Sequence, residues 1–205
     1  MAEAGELGRS ATALLVVDMQ NAFCEEGGSI NGIGLPSSRL APAVEPCAAL
    51  VAAARQAGVP VIYTRYVYRA DHSDAGLMGN EIFPQLVSAK TLRDGTWDAE
   101  IVASLAPGEH DAVIDKNRPS AFFGTRLESL LKGLGVTDLV VCGVTTNCCV
   151  ESTVRDASHR DYRCFVVADA VREYDDERHD ASLKAVAMLF GYVVASNDVL
   201  AAWQA

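Results

Sequence analysis

Three kinds of reactive side chain stand at the ends of apolar runs. Asp18 closes LLVVD, Lys116 closes VIDK, and two adjacent thiols, Cys148 and Cys149, follow GVTTN. A thiol is a weak nucleophile until it loses its proton, and its free pKa is about 8.5. A carboxylate within reach can take that proton as a general base. An ammonium beside the carboxylate can hold it in position and offset negative charge as it moves. The unpaired N–H groups of a helix start favour a thiolate and can receive the oxyanion of a tetrahedral intermediate. Base, nucleophile and oxyanion hole together make acyl transfer to water. Each group alone has a plainer role: an aspartate capping a turn, a solvated lysine, a small packing cysteine. Their shared position sets them apart from those roles.

That position follows from the elements that carry them. Short apolar runs alternate with segments of helical period, the pattern of a mainly parallel sheet covered by helices. The expected strands are ATALLVVD (11–18), VPVIYTRY (59–66), DAVID (111–115), DLVVCGV (138–144), RCFVVAD (163–169) and YVVAS (192–196). Several are continuously apolar, as strands buried on both faces are. The expected helices are PAVEPCAALVAAARQAG (42–58), TRLESLLKGLG (125–135), CVESTVRDASHR (149–160) and ERHDASLKAVAMLFG (177–191). In the second, Leu127, Leu130, Leu131 and Leu134 mark one buried face. The fold class is therefore α/β, a three-layer α/β/α sandwich on a six-stranded mainly parallel sheet. Ligands of such sheets collect beyond the carboxyl ends of the strands, where Asp18, Lys116 and the GVTT turn emerge. Residues 67–98 have no clear repeat and read as a binding loop or lid.

Composition narrows the partners. The chain has 205 residues, half of them hydrophobic, and a formal net charge of −10. It reads as one domain over 1–205, with 1–10 a flexible tail. An acidic surface repels phosphate backbones and anionic lipid, so nucleic acid is excluded as the expected partner. No apolar run approaches the roughly 20 residues of a membrane span, and MAEAGELGRSA is not a signal peptide. The six cysteines then read as reduced thiols of a cytoplasmic protein. Cys47, Cys142 and Cys164 fall in apolar elements as core residues.

The two adjacent thiols point about 100° apart on a helix, so they cannot share a role. Cys148 aligns with Ser152, Arg155 and His159, a polar face. Cys149 lies beside Val150, Val154 and Ala157, which makes it the less exposed of the two. Periodicity alone leaves the choice open, and a vicinal redox pair also remains.

The blocks LLVVDMQNAFCEEGGS, DKNRPSAFFGTRLE and GVTTNCCVESTVRDA resemble, in order, those of the isochorismatase-like cysteine hydrolases. The resemblance covers residues 11 to 196. It implies that Asp18 is the base, Lys116 the catalytic lysine and Cys149 the nucleophile. It also implies a cis peptide between Val144 and Thr145, with the Thr145 and Cys149 N–H groups forming the oxyanion hole. A homo-oligomer, dimer or tetramer, is expected on the same ground. Members without the cysteine hydrolyse a vinyl ether, so Cys149 points to amide chemistry.

Nicotinamidases of the family bind a metal through the loop after the second strand. Here YRADHSDAGLMGNE keeps Asp71, His72 and Asp74 but lacks the spaced second histidine, so no metal and no other cofactor is expected. GTWDAEIVASLAPG and NCCVESTVRDASHRDY look more like the N-carbamoyl and ureido amidohydrolase branch, whose substrates are small linear molecules, commonly with a carboxylate. Phe23 and Phe122 are candidate pocket walls. Arg65, Arg69 and Arg172 are candidate carboxylate clamps, and the sequence does not choose among them.

Overall fold

The computed structural model describes residues 7–204. Six strands form one sheet: β1 (Thr12–Val17), β2 (Val61–Tyr66), β3 (Ala112–Lys116), β4 (Asp138–Val144), β5 (Arg163–Arg172) and β6 (Tyr192–Val194). Their spatial order is β3-β2-β1-β4-β5-β6, and every neighbouring pair is parallel. The sheet expected to be mainly parallel is wholly so. All residues of β1 and β4 are buried, whereas the edge strands β3 and β6 are only partly covered. Continuous apolar runs are thus the central strands, as burial on both faces requires.

Alternation along each strand feeds two separate cores. Ala13, Leu15 and Val17 face one layer, and Leu14 and Val16 the other. The second layer holds α1 (Val44–Ala57), which buries Cys47, Leu50, Val51 and Ala54 at helical spacing and ends at Gly58, φ 70°. The first layer holds α2 (Leu127–Gly133), α3 (Glu151–Ser158) and α4 (Asp176–Ala185). A last helix, α5 (Ser196–Gln204), joins α1 on the second face through Val199 and Trp203.

Some boundaries differ from expectation. α2 is shorter than 125–135, and Leu134 falls at its end, 47% exposed. The helix expected over 177–191 is α4 continued by a π-helical turn, Val186–Phe190. Ser196, expected to end a strand, instead opens α5, its N–H donating to Asp169 Oδ1 at 2.8 Å. Residues 1–6 of the expected tail lie outside the described residues. Leu7 is buried in the second core, and Thr12 Oγ1 donates to Gly8 O at 2.8 Å. Among the described residues, no helix is long and apolar enough to cross a membrane.

The chain runs outward from β1 through β2 to β3, then returns to lay β4 on the other side of β1. This reversal opens a crevice at the carboxyl ends of β1 and β4. Gly143 makes the pairing there possible. Its φ is +113°, and a Cβ on it would overlap the Val17 oxygen and lie 2.7 Å from the Val17 nitrogen. Only glycine accepts both conditions.

Two predictions follow from this packing. Gly143→Ala is expected to lower folding stability by at least about 2 kcal/mol in urea titrations, through overlap and backbone strain together; an unchanged midpoint would show that β1 and β4 tolerate more separation. The second concerns alkaline pH. Burial raises Cys24, Cys47 and Cys164, the last to about 12. Unfolded, these thiols ionise near 8.5, roughly, so above that pH the unfolded chain holds fewer protons than the folded one. Stability should therefore fall between about pH 8.5 and 12, by about 1.4 kcal/mol per pH unit for each such thiol. Urea midpoints that stay level between pH 8 and 10 would contradict it.

Candidate active site

Asp18 leaves β1 with φ +51°, a left-handed conformation that aspartate tolerates better than most residues. Its N–H donates to Thr64 O at 3.2 Å, and Thr64 Oγ1 donates to its Oδ1 at 2.6 Å. The other oxygen, Oδ2, lies 2.6 Å from Lys116 Nζ, and both side chains are fully buried. Apart from that ammonium, Oδ2 has no polar partner among the described residues. It retains acceptor capacity for a further proton.

Lys116, the last residue of β3, has three donors and three acceptors. Beyond Asp18, its Nζ donates to Cys149 Sγ at 3.3 Å and to Arg118 O at 3.2 Å. The Tyr66 ring centre is 4.4 Å from the ammonium, a cation–π contact in a desolvated place. Burial works against the charge on Lys116, but Asp18 and then Cys149 outweigh it, so its pKa moves up and the ammonium persists.

Cys149 belongs to a π-helical turn, Thr146–Val150, that precedes α3. The expected helix start at Cys149 thus lies three residues earlier and more loosely wound. Cys149 is 6% exposed, while Cys148 is only partly buried, as their periodicity suggested. The Cys149 thiol is held well above its usual range, first by its hydrogen bond with the Cys148 thiol and then by burial. Lys116 opposes these effects without overcoming them. These influences favour the neutral thiol of Cys149 over its thiolate beside the ion pair. The Val144–Thr145 peptide is cis. The Thr145 carbonyl accepts the N–H groups of Cys148 (3.3 Å) and Val150 (3.1 Å), which closes the turn.

Residues with no local motif complete the setting. Buried Gln20 donates to Tyr66 O and Ala99 O at 3.0 and 2.9 Å and accepts the Tyr66 N–H at 2.6 Å. Glu173, also buried, accepts the Asn147 N–H at 3.2 Å. His179 Nδ1 meets Thr146 Oγ1 at 2.9 Å, and Ser182 Oγ donates to Thr146 O at 3.2 Å. Burial and then Arg172 push His179 down, so its imidazole is neutral near pH 7. Thr64 and Tyr66 had a readable signal: they alternate at the carboxyl end of the strand beside β1. Gln20, Glu173 and His179 had none.

Other candidates are spread out. Phe23 is half-buried and touches both cores. Phe122 packs on Tyr162, ring centres 5.9 Å apart, with the Arg160 guanidinium 4.9 Å over its ring. Those contacts make it a core residue toward the amino end of β5. Arg65 pairs with Asp115 at 2.7 Å, and Arg69 lies 3.8 Å from Asp71 on the surface. Arg172 has no carboxylate partner among the described residues and lines a cavity of about 240 Å³ with Arg39, Glu173 and His179. A larger cavity, about 540 Å³, lies at the amino ends of β2 and β3, away from Asp18, Lys116 and Cys149. Of the acidic loop, His72 Nε2 meets Thr91 O at 2.8 Å, Asp71 accepts the Ser73 N–H at 3.0 Å, and Asp74 accepts from Asn117 at 3.0 Å. Each is engaged in shaping the loop, and among the described residues no three metal-ligating side chains converge.

The ion pair yields a direct test. Lys116→Met leaves a buried carboxylate uncompensated and is expected to cost about 3–5 kcal/mol in urea titration, whereas Asp18→Asn combined with Lys116→Met should recover much of that stability. Equal stability of wild type and Lys116→Met would mean that Asp18 is hydrated.

The site can be compared with known proteins. The model of the isochorismatase domain matches residues 12–198. The chain is 37% identical over 203 residues to a ureidoacrylate amidohydrolase RutB of Methylorubrum extorquens, covering 93% of this chain and 81% of that one. Its fold is similar to that of a cysteine hydrolase from Pseudomonas syringae pv. phaseolicola, with TM-score 0.88, 33% identity and coverage of 97% and 94%. It is also similar to N-carbamoylsarcosine amidase from Thermoplasma acidophilum, with TM-score 0.75, 26% identity and coverage of 91% and 96%. Over nearly its whole described length, then, the chain belongs to the isochorismatase domain family.

Proposed function

We propose that the protein is a cysteine-dependent amidohydrolase that cleaves the C–N bond of small linear ureido, carbamoyl or amide compounds. One observation carries the reading: a single buried ammonium, on Lys116, holds the Asp18 carboxylate at 2.6 Å and the Cys149 sulfur at 3.3 Å. The names of its relatives, an amidohydrolase of ureidoacrylate and an amidase of N-carbamoylsarcosine, point to the same bond type.

The steps follow from the charges. Cys149 starts as a neutral thiol, so attack requires a base, and Asp18 Oδ2 takes the proton as sulfur adds to the carbonyl carbon. Net charge at the site is unchanged by this transfer. Lys116 stays cationic and faces both the acid formed and the sulfur. The developing oxyanion is met by the Thr145 and Cys149 N–H groups, where removal of one donor in comparable sites costs about 3–4 kcal/mol. Protonated Asp18 then gives its proton to the departing nitrogen, leaving a thioester and free ammonia or amine. Water, deprotonated by Asp18, cleaves the thioester and restores the thiol. Phe23 is a wall of the substrate pocket in this reading, and Arg172, which has no carboxylate partner among the described residues, suits a substrate carboxylate.

The test is a panel of ureido, carbamoyl and amide compounds, with and without a carboxylate, scored for ammonia. Wild type should release ammonia from at least one, and Cys149→Ala should lose at least about a thousandfold in kcat, the scale of losing a nucleophile. Full turnover in Cys149→Ala would end the thioester reading. Pyruvate from isochorismate, without ammonia from any amide, would favour vinyl-ether cleavage instead.

A further inference from the structure

Tyr174 follows the end of β5 by two residues, and its phenolic oxygen is buried with no hydrogen-bond partner among the described residues. Buried tyrosine hydroxyls usually find a partner, and an unpaired one calls for a physical account. The rest of this residue is fully engaged. Its N–H donates to Glu173 Oε1 at 2.9 Å, and its carbonyl accepts from Arg39 Nε at 3.1 Å. Its ring touches the apolar clusters of both faces, so it stands across the rim of the sheet, as Phe23 does. The other oxygen of Glu173 accepts the Asn147 N–H at 3.2 Å, within the turn that carries Cys149. One carboxylate thus fixes the Tyr174 backbone relative to the nucleophile.

Among the described residues, the other buried polar atoms with no hydrogen-bond partner besides an ion pair are placed differently. Asp18 Oδ2 belongs to the triad, Trp203 Nε1 to α5 on the second face, and Arg93 Nε to the 67–98 segment. Burial, then the fields of Cys24, Glu173 and Cys149, pushes the Tyr174 hydroxyl far up. At any working pH it is a proton donor that lacks an acceptor among the described residues.

We propose that the Tyr174 hydroxyl contacts substrate, donating a hydrogen bond to a carbonyl or carboxylate oxygen of the bound ureido or amide compound. Tyr174 then selects substrates as well as packing the rim. The proposal rests on the amidohydrolase reading above.

Tyr174→Phe removes only the oxygen. In the free protein that oxygen has no partner, so the variant should unfold at the same urea concentration as wild type or higher. On active substrates kcat/KM should fall about threefold to a hundredfold, the range for one neutral or charge-assisted hydrogen bond. A loss shared by substrates with and without a carboxylate assigns the contact to the carbonyl oxygen. A loss confined to those with one assigns it to the carboxylate. Wild-type kcat/KM in Tyr174→Phe on every active substrate overturns the proposal and leaves the amidohydrolase reading intact. So does a drop in activity matched by a drop in stability, which marks a packing role. If wild type releases no ammonia from any compound, the reading of the site fails and the Tyr174 contact fails with it.

Discussion

A carboxylate and an ammonium with no exposed surface sit 2.6 Å apart at the carboxyl edge of the sheet. Moving two charges of that size out of water costs several kcal/mol each, roughly, even after the protein relaxes. Their attraction offsets that cost only if the remaining donors and lone pairs are also met. Thr64 supplies one hydrogen bond to the acid; Cys149, Arg118 and the face of Tyr66 surround the base. These groups come from β1, β2, the end of β3 and the turn after β4. The parallel order β3-β2-β1-β4 is what brings them to one edge, so topology and electrostatics constrain each other.

The sulfur adjoins this pair in surroundings that favour its neutral form. A preformed thiolate would sit beside Asp18 as a second buried anion, with one ammonium between them. The neutral thiol avoids that repulsion, and Cys148 and burial both hold it neutral. In the proposed reaction the base therefore has a defined task, and Asp18 Oδ2, which has no second partner among the described residues, can perform it. Behind the sulfur, Glu173, His179 and Ser182 anchor Asn147 and Thr146, so the turn that carries Cys149 is held from the segment after β5 and from α4 as well as from β4. In the proposed reaction such rigid support matters, because oxyanion donors act only when aimed before the reaction begins.

The sequence was most readable where a local repeat has one physical cause. All six strands lie where the apolar runs stand, because burial on both faces imposes continuous hydrophobicity. The apolar neighbours of Cys149 mark it as the less exposed thiol, whereas its assignment as nucleophile rests on the family resemblance. Reading was poorer where the cause is remote. α5 went unseen because its first turn is held by Asp169, many residues away on β5. Leu134 fits the leucine repeat, yet α2 ends before the repeat does. Phe122 stands beside the Lys116 block in the chain, but its ring packs toward Tyr162.

By itself the sequence determined the layered α/β class, the rim on which Asp18, Lys116 and Cys149 emerge, and the family motifs around them. These are properties of short stretches: hydrophobic period, the residue that ends a strand, and spacing within one segment. Tertiary structure alone decided that the Lys116 ammonium touches both Asp18 and Cys149, that Thr64 and Glu173 hold their respective partners, and which of the three candidate arginines has no carboxylate partner among the described residues. The reason is that each of these facts is a distance between segments separated along the chain, set by strand order, register and the close approach of Gly143 to Val17. No local pattern encodes such a distance; it exists only after the sheet has assembled.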